Sequence, residues 1–201
     1  MPRAFPADPH SMPRTWPVRM MLVLMSFFGR HRLAHALLLL AALACQPATA
    51  QNMPNEQSLR AAMVFNFLKF TEFPPEAIAN TQQIRLCIAV GDPRQAAALA
   101  ELSGRKVLSR ELVVANLAGR GDGCHVLYVD SSQRWHAAIE QRALPRTLTI
   151  SAYPGFARDG GMIEIALRED GTRFDINLAE GRRAGFRFSP QLLLLARHVH
   201  E

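Results

Sequence analysis

Cysteine is scarce in this chain: three in 201 residues, at positions 45, 87 and 124. None has a second cysteine close by and only His125 adjoins one, which excludes zinc-finger and C-x-x-C redox motifs. Lysine is scarcer, with Lys69 and Lys106 alone among 23 basic residues. The formal charge of +6 does not make a nucleic-acid footprint, which needs a concentrated basic face. Residues 1–50 hold five arginines against Asp8, leaving 18 basic and 16 acidic residues in the rest of the chain. No G-x-S-x-G elbow is present. The Ser151, Ser189, His125, His136, Asp130 and Asp175 that a hydrolase would draw on stand in no catalytic motif. No metal-ligand spacing occurs either, and His198 and His200 read as residues of a fraying end. Gly119-Arg120-Gly121-Asp122-Gly123 has the glycines of a phosphate cradle but neither a following lysine nor a helix start, so it reads as a turn. The chain is therefore expected to be no enzyme, with no catalytic residue, metal or cofactor, and no nucleic-acid partner.

What is present begins with a leader. Arg30 and Arg32 precede an apolar run from Ala34 to Ala44, broken only by His35, and Ala48-Thr49-Ala50 follows before Gln51. These are the three regions of a secretory signal peptide, with cleavage between Ala50 and Gln51. The run is too short to span a bilayer, which takes about 20 apolar residues. Cys45 offers a lipoprotein alternative, but Ala42-Leu43-Ala44 puts a bulky leucine where such signals favour a small residue. A start at Met25 would give a conventional leader and leave residues 1–24 untranslated. The expected organisation is a leader over 1–50 and one domain over 51–201, in the periplasm. In that oxidising compartment Cys87 and Cys124 form an even pair, read either as a disulfide or as two buried thiols.

Half of the residues are apolar, 49%, enough for one sizeable core. Leu59 to Phe70 reads as a helix whose apolar residues cover most of its circumference, broken by Arg60, Asn66 and Lys69 and ended by Phe73-Pro74-Pro75. Strands follow at Ile84–Val90, Leu112–Leu117, His125–Val129 and Thr147–Ser151. Helices come between them at Arg94–Leu102 and from Ser131 or Ser132 to Arg142. That alternation implies βαβ units. Met162–Leu167 and Thr172–Leu178 then flank an Asp-Gly hairpin signal. Leu192, Leu195, Ala196 and Val199 recur at helical spacing after Pro190. The expected fold is α/β: a mainly parallel sheet flanked by helices, with an antiparallel C-terminal hairpin at one edge.

Two segments carry the functional reading. Gly155, Phe156, Gly160 and Gly161 lie before a strand, where glycines permit torsions or close approaches that side chains forbid. Along the hairpin Arg173, Asp175 and Asn177 share a face, with Arg182 and Arg183 after them. This set reads either as a solvated surface or as a pocket in which guanidinium groups grip an anionic or zwitterionic ligand.

Leu59-Arg60-Ala61-Ala62 through Phe65-Asn66-Phe67 and Lys69-Phe70 to Phe73-Pro74 resembles the opening of the YfiR family. Gly155-Phe156-Ala157, Gly160-Gly161-Met162-Ile163, Arg173-Phe174-Asp175-Ile176-Asn177, Ala184-Gly185, Ser189 and Leu192-Leu193 follow its closing signature. Between them, Gly104-Arg105-Lys106-Val107 and Cys124-His125-Val126-Leu127-Tyr128-Val129 match its middle. The resemblance covers 57 to 199. It implies a periplasmic, non-enzymatic repressor of an inner-membrane diguanylate cyclase, acting by direct binding to lower cyclic-di-GMP signalling and so to govern biofilm formation. A sensor kinase is the other partner of that kind. It also implies a structural Cys87–Cys124 disulfide and a homodimer. From the residues themselves, the candidate partner or ligand contacts are Arg60, Arg173, Asp175, Asn177 and Arg183. The alternative is a periplasmic sensor module for a small-molecule ligand. Some relatives carry a second cysteine pair around the glycine segment, and this chain has none there.

Overall fold

The computed structural model describes residues 55–117, 123–141, 144–168 and 171–201. The leader, its cleavage site at Ala50 and Gln51, Cys45 and most of the Gly119–Gly123 segment lie outside these. Asn55 starts helix α1 (Glu56–Lys69): its side chain accepts the Ser58 amide at 2.7 Å, and Glu56 and Lys69 occupy the ends that the helix dipole favours. Ala61, Val64, Phe65, Phe67 and Leu68 are buried from α1. A two-residue strand β1 (Thr71–Glu72) follows, and Pro75 opens the short α2 (Pro75–Ile78), where its missing N–H costs nothing.

The expected alternation then appears as β2 (Gln83–Ala89), α3 (Pro93–Ala100), β3 (Lys106–Val107), β4 (Arg110–Asn116), β5 (Val126–Val129), α4 (Ser132–Gln141) and β6 (Leu148–Ser151). The hairpin is β7 (Ile163–Arg168) and β8 (Gly171–Asn177), closed by the pairing of Arg168 with Gly171. The chain ends through α5 (Leu178–Arg183), β9 (Arg187–Phe188), α6 (Pro190–Leu195) and β10 (His198–His200).

Eight strands make one sheet in the order β10-β8-β7-β6-β5-β2-β4-β3, and β1 and β9 form a separate antiparallel pair. From β4 through β2, β5 and β6 to β7 every pairing is parallel, while β7–β8 and β3–β4 are antiparallel. The fold is thus α/β with a mainly parallel sheet and an antiparallel hairpin towards one edge. One element departs from the periodicity. The apolar stripe that predicts a helix to Val199 is helical only to Leu195; Ala196 turns extended and β10 adds to β8 in parallel, outside the hairpin. Tertiary bonds override the pattern here: the Arg197 amide donates to the Phe174 carbonyl at 2.8 Å and its guanidinium grips Asp175.

Strand side chains alternate between two cores, as the pleat requires. Leu86, Ile88, Val126, Tyr128, Leu148 and Ile150 face the larger one, with buried residues of α1 and α3. Cys87, Leu127 and Val129 face the smaller, with Trp135 and Ala138 of α4. A strand covered on both faces reads as a continuous apolar run, which is how β5 and residues 86–89 of β2 appear in sequence, while Gln83 and Arg85 are exposed where β2 begins. Cys87 and Cys124 are joined in a disulfide with Cα atoms 5.8 Å apart, so β2 is tied to the segment entering β5.

Candidate binding site beside the hairpin

The glycine segment is an aromatic plug. Gly155 and Gly160 have φ of +93° and +87°, a region that β-carbons disfavour. Phe156, fully buried, meets Trp135 and Tyr153 edge-on, with centroids 5.0 and 5.2 Å away. A Cβ at Gly161 would stand only 2.2–2.4 Å from three carbons of the Phe156 ring, so that position requires glycine for close approach. Trp135 Nε1 donates to the Asp159 carbonyl at 3.0 Å and the Tyr153 hydroxyl donates to the Asp159 carboxylate at 3.1 Å. Burial and that carboxylate push the Tyr153 hydroxyl well above its ordinary pKa.

Beside the plug, Glu164 of β7 and Asp175 of β8 stand directly opposite, and both are buried. Like charges so placed repel and lose hydration unless each is met by donors. Glu164 accepts the Gly155 and Ala157 amides, each at 3.1 Å, and so holds the plug loop. Asp175 takes a two-pronged bond from Arg197, Nε at 2.9 Å and Nη2 at 2.6 Å, and a third contact from His198 Nδ1 at 3.2 Å. Burial raises the Asp175 pKa, but the Arg197 and His198 bonds outweigh it and hold the carboxyl below its ordinary value. An ionised carboxylate only accepts, so the hydrogen of the His198 contact sits on Nδ1.

Two grooves meet at this pair, sharing Glu164 and Arg197. One, of about 260 Å³, also has Arg158, Asp175, His198 and His200 on its walls. The other, of about 410 Å³, runs under the first turn of α1 past Glu56 and Arg60 to Ile165 and Leu167. Arg60 pairs with Glu56, while its Nε is buried without a partner.

The residues grouped from the sequence are therefore divided. Asp175 is a buried anchor, and Asn177 is the N-cap of α5, accepting from the Glu180 amide at 3.0 Å while its amide nitrogen donates to the Ala157 carbonyl at 2.8 Å. Arg173 is exposed and lines neither groove. Arg183, 74% exposed and paired with Glu180, borders a separate cleft of about 530 Å³ with Trp135 and Met162. Strand alternation put Arg173 and Asp175 on one face, but it carries no information about which part of that face the plug and β10 cover. Glu164 and Arg197 escaped the sequence reading. The Asp-Gly signal does not reveal them: a two-residue turn centred on Asp170-Gly171 would set Glu164 opposite Asn177, whereas Gly171 belongs to β8 and pairs with Arg168, which sets Glu164 opposite Asp175.

Of the nucleophile and base candidates, Ser151, Ser189 and Asp130 have structural roles. Ser151 Oγ donates to the Val129 carbonyl at 2.7 Å, Ser189 caps α6, and Asp130 accepts the Gly91 amide at 2.6 Å and Arg134 at 3.1 Å. Among the described residues no three His, Cys, Asp or Glu side chains could together hold a metal ion, and no helix is long and apolar enough to cross a membrane.

The domain is a two-faced α/β sheet with a disulfide, an aromatic plug and ion-paired grooves. The chain belongs to the YfiR/HmsC-like family, whose model matches residues 57–197. That family is regulatory rather than catalytic. Among solved structures, a conserved domain protein from Vibrio cholerae is 15% identical with a TM-score of 0.41, covering 72% of this chain and 60% of that one. This chain thus spans less than two thirds of that structure's length. No curated protein matches the sequence.

Proposed function

We propose that this protein is an exported periplasmic repressor that binds the extracytoplasmic part of an inner-membrane diguanylate cyclase and lowers cyclic-di-GMP output without catalysing a reaction. The family match over residues 57–197 carries this reading. The Cys87–Cys124 bridge supports it, because disulfides persist in oxidising compartments. The leader pattern ending at Ala50 supports export of a mature chain that begins at Gln51 and forms one domain. In mechanism, the repressor binds the inactive conformation of its partner more tightly than the active one, since only differential affinity shifts an equilibrium. The same logic serves a sensor kinase, and a homodimer would present two copies of the grooves. Affinity capture from membranes, with cyclic-di-GMP measured in a deletion strain, tests the proposal. Recovery of a cyclase and a rise in cyclic-di-GMP are expected; no captured sensor protein and unchanged cyclic-di-GMP overturn it.

A second reading, a sensor for a small ligand, draws support from the groove at Arg60, whose buried Nε lacks an acceptor. A ligand present at a hundred times its dissociation constant adds about 2.7 kcal/mol to stability. Thermal shift against carboxylate-bearing solutes therefore checks it: a rise in melting temperature abolished by Arg60→Ala supports the sensor, and no rise with any of them removes it.

A further inference from the structure

We propose that His198 and His200 form a surface site for a divalent cation of the copper and zinc end of the transition series. These two residues are not a fraying end: they lie on β10, where residues two apart share a face. Their ring centroids are 6.3 Å apart. Two imidazoles on one ion, each with a metal–nitrogen bond of about 2.0–2.1 Å, hold their centroids about 5 to 6.5 Å apart, depending on the angle at the metal. The observed pair lies at the wide, near-linear end of that span, so a tetrahedral or cis-square ion would draw the two rings about 1 Å closer.

Asp175 completes the chemistry. Its buried carboxylate holds Nδ1–H of His198, leaving the Nε2 lone pair as the metal-facing atom, and a carboxylate behind a ligating histidine fixes the tautomer and raises ligand basicity. The His198 side chain is 60% exposed, so an ion reaches it from solvent. The groove that both rings line is not repulsive to a cation. Arg197 is met by Asp175, and Arg158 is exposed, where solvent and salt screen its charge. Glu164 is taken up by two backbone amides and Asp175 by Arg197 and His198, so neither is offered as an oxygen ligand. That donor set selects against calcium and magnesium, which need oxygen, and for ions that imidazole suits, with copper(II) strongest. Water fills the remaining positions, since no third protein ligand of the described residues joins the pair. The site does not depend on the regulatory reading, and its test involves no signalling partner.

The test is calorimetric titration of Cu²⁺ into the full chain, purified without an affinity tag, compared with H198Q, H200Q and H136Q. Glutamine at 198 keeps a donor for Asp175, and H200Q leaves that pairing untouched, so the two variants guard against loss of fold. His136 is exposed on α4 and serves as the control. Each of H198Q and H200Q is expected to weaken binding about tenfold or more, with H136Q unchanged. The electron paramagnetic resonance spectrum should lose one of two coupled imidazole nitrogens in each. Equal affinity in the wild type, H198Q and H200Q overturns the proposal, as does a wild type that binds Cu²⁺ no better than the H198Q/H200Q double variant.

Discussion

Reducing the Cys87–Cys124 bridge should cost this domain a large part of its stability. The two cysteines are 37 residues apart, and a cross-link closing a loop of that length removes unfolded-state entropy equivalent to about 4 kcal/mol at room temperature. Domains have about 5–15 kcal/mol in total, so the reduced chain would retain a fraction of it. For a domain of this size the melting temperature should fall by about 8–16 °C. Equilibrium guanidinium unfolding of the same chain, oxidised and then reduced by a phosphine, isolates the effect, because both samples keep every side chain. Reduction should lower the midpoint and raise the slope, as the released unfolded chain exposes more surface. Substituting both cysteines by alanine should cost about 1 kcal/mol more, since Cys87 is buried against the core that contains Leu127, Val129 and Trp135. Identical midpoints and slopes before and after reduction would refute the reasoning, because the bridge would then constrain nothing in the unfolded ensemble.

Gly161→Ala should destabilise by about 1–3 kcal/mol, measured by urea unfolding, because its methyl group would overlap the fully buried Phe156 ring; Gly104→Ala meets no neighbouring atom and should suffer only its left-handed backbone. Asp175→Asn breaks a largely buried ion pair, for which about 3 kcal/mol is expected. Because the folded-state pKa of Asp175 is lowered, its contribution is present above the unfolded value of about 3.9 and is lost as pH falls through the folded value. The gap between wild type and Asp175→Asn should therefore close in acid, and a gap independent of pH would contradict the pairing. His125 behaves differently. Its Nδ1 accepts the Arg85 amide at 2.9 Å, and burial, with Arg85 and Arg110 nearby, lowers its pKa. Its neutral form stabilises the fold above about pH 6.5, and that contribution is lost as pH falls from there through the folded value. Wild type should lose stability between pH 7.5 and 5 where His125→Gln does not, as read by urea midpoints.

The elements of the fold were legible because each has a local cause. The apolar runs of β5 and of the second half of β2, the alternating strands of the hairpin, Pro190 after Ser189 at the start of α6 and the near-continuous apolar girdle of α1 all encode themselves within a few residues. The glycine segment could be marked as special from composition, although its partner, the Phe156 ring, could not be named. What eluded the sequence was where polar side chains end up. Arg173 and Asp175 are equivalent by alternation, yet one is solvated and the other is sealed under Arg197.

Alone, then, the chain's order of residues determined its class, its strand and helix sequence, its hairpin and its family. Tertiary structure decided that Glu164 would face Asp175, that the helix predicted to Val199 would end at Leu195 so that Arg197 and His198 answer that carboxylate, and that Arg183 would border a different cleft. The reason is physical. Periodicity and turn chemistry act over neighbouring residues, whereas a buried charge is satisfied by whichever donor the completed sheet brings within hydrogen-bonding distance, and that donor lies 22 residues away.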